Sequence, residues 1–335
     1  MRSGTIGAPD PPRAAARPAH YSIWRDTVAR SETEAPARHA PAPSARLPFV
    51  LVHGAWHGAW AYQRLGAALA TRGHPSLARD LPAHGLDARY PAAFGDPADA
   101  AALAHEPSPV SATTLDDYTD SVLRTIDEAR ALGHERVVLV GHSMGGLAIT
   151  AAAERAPERI AKLVYLAAFM PASGAAGLDY VRAPENQGEA LAALMCASPR
   201  AVGALRINPA SRDAGYLAML RQALFEDVDD ATFRAAIRLM SSDLPPAPFA
   251  APIATTPQRW GSIERHYVAC ANDRVLLPAL QQRFIAEADA FVPQRPTRVH
   301  RLASSHSPYL SQPEALAEQL VAIARASGEP AASLE

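Results

Sequence analysis

A serine flanked by glycines is the residue of this chain best suited to nucleophilic chemistry. It lies in Gly141-His142-Ser143-Met144-Gly145, after four consecutive apolar residues and before a run with helical periodicity. A serine on a tight strand-to-helix turn has its hydroxyl exposed, and flanking glycines let neighbouring backbone approach without Cβ clashes. The same letters also fit a plain turn in which the serine caps a helix. The strand and helix patterns on either side favour a nucleophile.

A serine hydroxyl becomes reactive when a base takes its proton, and that base is usually a histidine held by a carboxylate. With a serine on such an elbow, the acid and then the histidine follow it along the chain. Three of the 12 histidines lie far enough downstream, and His266 and His300 fall inside predicted strands. His306 lies in a predicted loop between the last strand and the last helix, where ligands bind in open α/β sheets. We therefore take His306 as the base, with a surface-loop histidine as the alternative.

The carboxylate should also follow a strand. Asp273 comes shortly after the predicted strand that ends at Cys270, and it is the acid we assign to orient His306. An ordinary turn is the competing interpretation, because Asn-Asp pairs such as Asn272-Asp273 favour turns.

The oxyanion that forms during acyl transfer needs two backbone N–H donors. Met144 follows the serine at the start of a predicted helix, whose dipole favours negative charge there. The second donor should come from a loop after an earlier strand, and His53-Gly54-Ala55-Trp56 supplies Ala55. A simple βα loop with glycine at the turn is the alternative for this segment.

These residues need a parallel sheet to bring them together. Short apolar strands alternate with helical patterns, which is typical of βαβ units and a parallel sheet. The predicted strands span 47–52, 76–80, 137–140, 160–167, 265–270 and 297–302. The predicted helices span 59–72, 115–132, 146–155, 278–288 and 312–325.

The alternation of strands and helices is interrupted in one long stretch. Residues 171–256 are rich in Ala, Leu, Met and Pro, with helical pieces at 189–195, 215–225 and 231–240, so we predict an inserted helical cap there. The core then comprises residues 47–170 and 257–327. Residues 1–46 and 328–335 have too few large apolar residues to offset the entropy of ordering. We predict a disordered or loosely docked N-terminal extension and a flexible tail.

Composition narrows the class of function. A formal net charge of -2 gives no reason to expect nucleic acid or an anionic membrane as a partner. Cys196 and Cys270 lack disulfide-framework and metal-ligand spacing, and the histidines near the serine lack it too. No apolar run is long enough for a membrane span, and the N-terminus does not look like a signal peptide. We expect a cytoplasmic protein without a metal; its oligomeric state stays open, with a homodimer as one option.

The motifs together resemble the methylesterase and hydroxynitrile lyase branch of the α/β-hydrolase superfamily. Around the acid and the histidine they are most similar to bacterial carboxylesterases, including pyrethroid hydrolases. The resemblance covers about residues 47–326 and is vague in the cap. It is carried by HGAWHGAW at 53–60, GHSMGG at 141–146, ND at 272–273 ahead of LP at 277–278, and SHSPY at 305–309.

The resemblance implies an α/β-hydrolase fold with a mostly parallel sheet, helices around it, and a helical cap over an apolar pocket. It also implies a Ser-His-Asp triad, an oxyanion hole and no cofactor, and the matching positions are those assigned above. We expect the pocket to take a hydrophobic carboxylic ester of small to medium size. The residues expected to contact substrate are Gly54, Trp56, His142 and Tyr309, with others from the cap.

Ester hydrolysis is favoured over carbon–carbon bond cleavage. Plant-type lyases of this branch carry Thr or Asn after the histidine of the first loop, and one class carries Lys after the catalytic histidine. This chain has Gly54 and Ser307 there, so no ammonium adjoins His306 to stabilise leaving cyanide. A hydroxynitrile lyase, another carbon–carbon or lactone-cleaving hydrolase, and a non-catalytic receptor for an apolar ligand on the same fold remain alternatives.

Overall fold

A computed structural model describes residues 46–96 and 100–326, together with Met1. The predicted N-terminal extension and C-terminal tail therefore lie almost wholly outside the described residues, and their character stays a prediction. The described strands, in chain order, are β1 (Phe49–Val52), β2 (Ser76–Ala78), β3 (Val137–His142), β4 (Ile160–Leu166), β5 (Leu205–Arg206), β6 (Asp243–Leu244), β7 (Glu264–Cys270) and β8 (Arg298–Leu302).

Six of these strands form a parallel sheet in the order β2-β1-β3-β4-β7-β8. The central strands β1 and β3 are buried at every position. Both faces of the sheet are therefore covered there, which explains why these strands are continuous apolar runs. Because all six strands point the same way, the loops after β1, β3, β7 and β8 open at one edge.

Helices cover the sheet. They are α1 (Gln63–Thr71), α2 (Ala100–Leu103), α3 (Leu115–Ala131), α4 (Gly145–Arg155), α5 (Gly177–Val181), α6 (Pro199–Val202), α7 (Ala214–Leu224), α8 (Asp230–Leu239), α9 (Ala247–Ala250), α10 (Pro278–Phe291), α11 (Pro308–Ser311) and α12 (Pro313–Arg325). Short 3-10 turns occupy Ala59–Tyr62, Gly85–Asp87, Pro157–Arg159, Pro184–Asn186, Ala192–Leu194 and Trp260–Ser262. Helix α3 packs on α4, and α1 packs on α12.

Local sequence explains where the long helices begin. Thr114 accepts a hydrogen bond from the Asp117 amide while Asp117 accepts one from the Thr114 amide, so a capping box starts α3. Asp229 caps α8 in a similar way through the amide of Thr232.

Residues 171–256, which we call the insert, contain α5 to α9. The insert also contains a two-stranded antiparallel sheet of β5 and β6, which the sequence did not predict. Two-residue strands are too short to produce an alternating pattern, so the omission has a physical cause.

Several predicted elements are shorter in the structure, and two of them have a local cause. The predicted helix over 189–195 is only the 3-10 turn Ala192–Leu194. The carboxylate of Glu189 accepts hydrogen bonds from the amides of Leu191 and Ala192, which ties the chain into a local turn. The predicted strand over 76–80 ends at Ala78, because Asp80 turns to accept the amides of Ala59 and Leu86.

Candidate active site

Ser143 lies on the turn between β3 and α4, where the backbone is strained. Its φ of 52° falls in the left-handed region that non-glycine residues rarely adopt. Such a residue costs on the order of 1–3 kcal/mol and persists when its surroundings hold it. Here its amide donates to the Leu166 carbonyl at 3.3 Å, and its own carbonyl accepts the amides of Gly146 and Phe169 at 3.0 and 3.1 Å. The serine side chain lies beside Gly54 of the loop after β1 and lines the same cavity as Ala55.

Close packing around this turn explains two of the glycines. A Cβ on Gly54 would lie 2.8 Å from His142 Nδ1 and 2.9 Å from the Cβ of Ser143. A Cβ on Gly146 would collide with the carbonyl oxygen of Phe169. The loop after β1 and the segment after β4 can therefore approach the elbow this closely only because side chains are absent at these positions.

His306 and Asp273 meet across the loops after β8 and β7. His306 Nδ1 donates to Asp273 Oδ2 at 2.7 Å, and both side chains are almost completely buried. The second carboxylate oxygen of Asp273 accepts the amides of Val275 and Leu276 at 2.7 and 3.0 Å. These amides fix the carboxylate, and the carboxylate fixes the imidazole with Nε2 left to serve as an acceptor.

Ser143 and His306 line the same cavity. Within residues 46–96 and 100–326, no hydrogen bond joins the Ser143 hydroxyl to His306. Catalytic hydrogen bonds are often long in unliganded sites and shorten once substrate binds. The structure thus brings the three residues of the predicted triad to one place, and their catalytic roles are taken up below as a proposal.

Two backbone amides are available near Ser143. Met144 precedes α4, and Ala55 lies in the loop after β1 and lines the cavity. Among the described residues, neither amide donates to a protein acceptor, whereas the neighbouring Ser143 and His57 amides both do. Two free N–H groups beside a serine are what the predicted oxyanion hole requires.

The cavity has a volume of about 170 Å³ and is predominantly apolar. Its wall combines the core loops with the insert. The core contributes Ala55, Trp56, His57, His142, Ser143, Phe169, Val275, Leu276 and His306, and the insert contributes Leu178, Val181, Asn186, Glu189, Leu191, Ala192, Met195, Leu205, Leu224, Leu244 and Phe249. Most of the insert residues had no distinguishing signal in the sequence, because only long-range packing brings them together.

Trp56 and His142 line the cavity as predicted for substrate-contacting residues, whereas Gly54 and Tyr309 do not. Gly54 packs behind the wall against the His142 ring. Tyr309 turns away at the start of α11, its ring centroid 5.4 Å from that of Tyr62 and its hydroxyl 3.0 Å from Ser307 Oγ. Proximity to His306 in sequence therefore does not put the tyrosine in the cavity.

The neighbouring histidines are held neutral. Burial lowers the pKa of His142 well below its usual range, and the nearby His306 lowers it further. The His142 Nε2 donates to the His306 carbonyl at 2.8 Å and so steadies the loop that carries the predicted base. Burial also lowers the pKa of His57, to about 4. This arrangement suits packing and support of the site.

No group of three or more His, Cys, Asp or Glu side chains among the described residues is arranged to hold a metal ion. None of the helices described is long and apolar enough to cross a membrane.

Comparison with known proteins places this geometry in context. Residues 49–319 match the model of the alpha/beta hydrolase family, a span that includes Ser143, Asp273 and His306. A probable esterase of rice, PIR7A (Oryza sativa subsp. indica), is 40% identical over 126 residues, which are 38% of this chain and 40% of the rice protein. The chain thus aligns with less than half the length of that relative.

Two further likenesses extend over most of the chain. Methylesterase 2 of Arabidopsis thaliana is 26% identical over 284 residues, 82% of this chain and 95% of the plant protein. A crystal structure of a novel pyrethroid hydrolase from Sphingobium faniae JZ-2 superposes with a TM-score of 0.65 at 26% identity, covering 84% of this chain and 98% of that one. The fold predicted from the sequence is confirmed, as is the resemblance to esterases of this group.

Proposed function

Since the chain belongs to the alpha/beta hydrolase family, we propose that it is a serine carboxylesterase acting on hydrophobic carboxylic esters of small to medium size. The observation that carries the proposal is that Ser143 and the Asp273-bonded His306 line one apolar cavity. The esterase and methylesterase names of its relatives support ester hydrolysis as the reaction class.

The proposed reaction has two steps. Ser143 Oγ forms a bond to the ester carbonyl carbon while its proton passes to His306 Nε2, and the Ala55 and Met144 amides bind the oxyanion. The bond from the acyl carbon to the alcohol oxygen then breaks, and His306 returns the proton to the leaving alcohol. Water attacks the acyl-enzyme in the same manner, releases the carboxylic acid and restores Ser143.

Each neighbour of the imidazole supports this order of proton transfers. Asp273 is held by two backbone amides and can stabilise the imidazolium that forms on His306. His142 holds the carbonyl of the same residue, so the ring keeps its place through the cycle. The imidazole is thus anchored at Nδ1 and at its backbone, and only Nε2 exchanges protons with substrate.

The volume of the cavity supports the proposed size of the substrate. An apolar cavity of about 150 Å³ in another protein holds benzene. The cavity here is comparable, at about 170 Å³, so one apolar group of roughly ring size fits beside Ser143. We expect esters with a short acyl chain or a single ring to be hydrolysed faster than those with long acyl chains.

The first experiment replaces the nucleophile. Ser143→Ala should reduce turnover of p-nitrophenyl butyrate to background, because no other hydroxyl is proposed to attack the ester. Ser111→Ala, which alters an exposed serine outside the cavity wall, is the matched control and should keep full activity. A serine-reactive phosphonate should label wild-type protein on Ser143 alone, as read by peptide mass spectrometry. Undiminished turnover in Ser143→Ala would refute the proposal.

Assays of the same purified protein on different substrates distinguish the alternative chemistries. A cyanohydrin lyase would release cyanide from mandelonitrile without an acyl-enzyme, and a lactonase would prefer cyclic esters. A non-catalytic receptor would bind an apolar ligand tightly and turn over none of these substrates. The proposal expects acyclic esters to have the highest kcat/KM in the panel.

A further inference from the structure

Two consecutive acidic residues of the insert reach the loops that carry the proposed acid and base. Glu226 and Asp227 lie between α7 and α8. The first pairs with Arg274, the residue after Asp273, and the second binds the loop that precedes His306. The inference drawn from these contacts rests on the proposed function, in which the Asp273–His306 pair works.

Asp227 makes the denser set of contacts. Its Oδ2 accepts hydrogen bonds from Ser304 Oγ at 2.9 Å, the Ser305 amide at 3.1 Å and Ser311 Oγ at 3.0 Å. Its Oδ1 accepts the Ser305 hydroxyl. One carboxylate thereby engages both residues before His306 and also Ser311, the last residue of α11.

These hydrogen bonds stabilise the charged carboxylate. Burial raises the pKa of Asp227, but the hydrogen bonds from Ser305 and Ser304 outweigh that effect, so its pKa lies below the usual value. A carboxylate that accepts several hydrogen bonds at once is hard to replace, because each donor loses a charged acceptor when it is removed.

Glu226 contributes less. It forms a two-pronged pair with Arg274, at 2.9 Å from Nε and 3.1 Å from Nη2, but both side chains are partly exposed. Exposed ion pairs are worth little. The contact reinforces the placement of the loop that carries Asp273, while Asp227 dominates.

The loop that Asp227 binds is held by individual hydrogen bonds and not by regular secondary structure. Ser304, Ser305, His306 and Ser307 are all buried, and the loop joins β8 to α11 without regular structure of its own. A displacement of about 1 Å in a catalytic group can reduce a rate about 100-fold. The carboxylate belongs to the insert and not to the core, so the position of the loop depends on how the insert docks.

We propose that Asp227 is a positioning residue that fixes the His306 loop against the insert. The alignment of the Asp273–His306 pair then depends on the docking of the insert.

The test compares Asp227→Asn with a matched control. Asn keeps the shape of the side chain but presents an amide donor to the serine donors, so the loop loses two or more of its hydrogen bonds. Asp229→Asn removes the same charge two residues away, at a helix cap that Asn also supports and that does not contact the loop. We expect kcat per active site, counted by phosphonate titration, to fall about 10- to 100-fold in Asp227→Asn, with KM changed less than threefold. The control should stay within twofold of wild type.

A second variant tests whether Asp227 affects kcat through its hydrogen bonds to the loop. If Asp227 acts through the loop, Ser305→Ala combined with Asp227→Asn should cost clearly less than the product of the two single losses. Fully multiplicative losses would contradict a shared route. Ser305→Ala also keeps the proposal testable if Asp227→Asn does not fold.

A readout without turnover separates this proposal from the proposed function. The proton on His306 Nδ1 shared with Asp273 should give a low-field NMR resonance in wild type and in Asp229→Asn. It should be shifted or lost by exchange in Asp227→Asn. An absence of ester turnover in wild type would refute the esterase while this resonance still tests the positioning role. Unchanged kcat per site together with an unchanged resonance in Asp227→Asn would overturn it.

Discussion

At the scale of single residues, backbone hydrogen bonds hold both the acid and the base of the proposed triad in place. Asp273 is oriented by the amides of Val275 and Leu276, and His306 is held by Asp273 at one end and by His142 at its carbonyl. No step of the proposed cycle requires these anchors to move. The reacting atoms, Ser143 Oγ and His306 Nε2, are the parts left free.

The carboxylate of the proposed triad gives a sharp test. Asp273→Asn should lower kcat about 10⁴-fold, because an amide in this place can stabilise the wrong tautomer of the imidazole and no longer balances its positive charge. KM for a p-nitrophenyl ester should change little, since the side chain does not line the cavity. Steady-state kinetics after active-site titration measure both constants. Asp289→Asn, on α10, is the control and should retain activity; a loss below tenfold in Asp273→Asn would remove the residue from the triad.

The sequence predicted Ser143, Asp273 and His306 because each follows a strand in a fixed order, and that order is a property of the chain. It did not predict Asp227 or Glu226, because nothing in the amino-acid sequence of the insert shows that these two side chains reach the loops of the core. Tyr309 adjoins the base in sequence but does not line the cavity, and its ring lies against those of Tyr62 and His142.

At the scale of elements, the strands of the central sheet and the longer helices of the insert were predictable, whereas the small sheet of the insert was not. Buried parallel strands are short runs of branched apolar residues, and this signal is strong in β1 and β3. In the insert, the ends of the longer helices α7 and α8 fell within two residues of prediction. The strands β5 and β6 are held by tertiary contacts and leave no periodic signal.

One of those contacts is a buried ion pair in the small sheet. Arg206 and Asp243, both fully buried, form two hydrogen bonds of 2.7 Å. The guanidinium also donates to the carbonyls of Leu103 and Glu106 at 2.5 and 2.8 Å. This arginine thus ties the insert to the segment around α2, and every polar group it meets is satisfied.

Removing one partner should be costly for the fold. Arg206→Met leaves a buried carboxylate without its cation, and we expect the free energy of unfolding to fall by about 3–5 kcal/mol. Arg206→Met combined with Asp243→Leu should recover much of the loss, because replacing both charges removes the unpaired group. Urea unfolding followed by circular dichroism measures both. Arg79→Met, at an exposed ion pair with Glu128, is the control and should cost under about 1 kcal/mol.

At the scale of the whole molecule, buried histidines make the stability of the fold depend on pH. Burial lowers the pKa of His57, His84 and His266 from 6.5 to about 4. Between these values the unfolded chain binds a proton at each site and the native protein does not. The unfolded state is therefore favoured as the pH falls from 6.5 towards 4, and these groups have no such effect above pH 7.

Through this linkage, the fold should lose stability in acid. Each such histidine should cost about 1.4 kcal/mol of stability per pH unit once the pH is well inside the window. Urea unfolding should thus give a steep loss between pH 7.5 and pH 5. His84→Gln keeps a donor for the Pro82 carbonyl, and it should remove about 2 kcal/mol of that acid-induced loss. His105→Gln, at an exposed position, should leave the pH dependence as it is in wild type. An equal acid-induced loss in wild type and His84→Gln would mean that His84 takes up its proton in the native fold, where its ring packs against those of His53 and Tyr118.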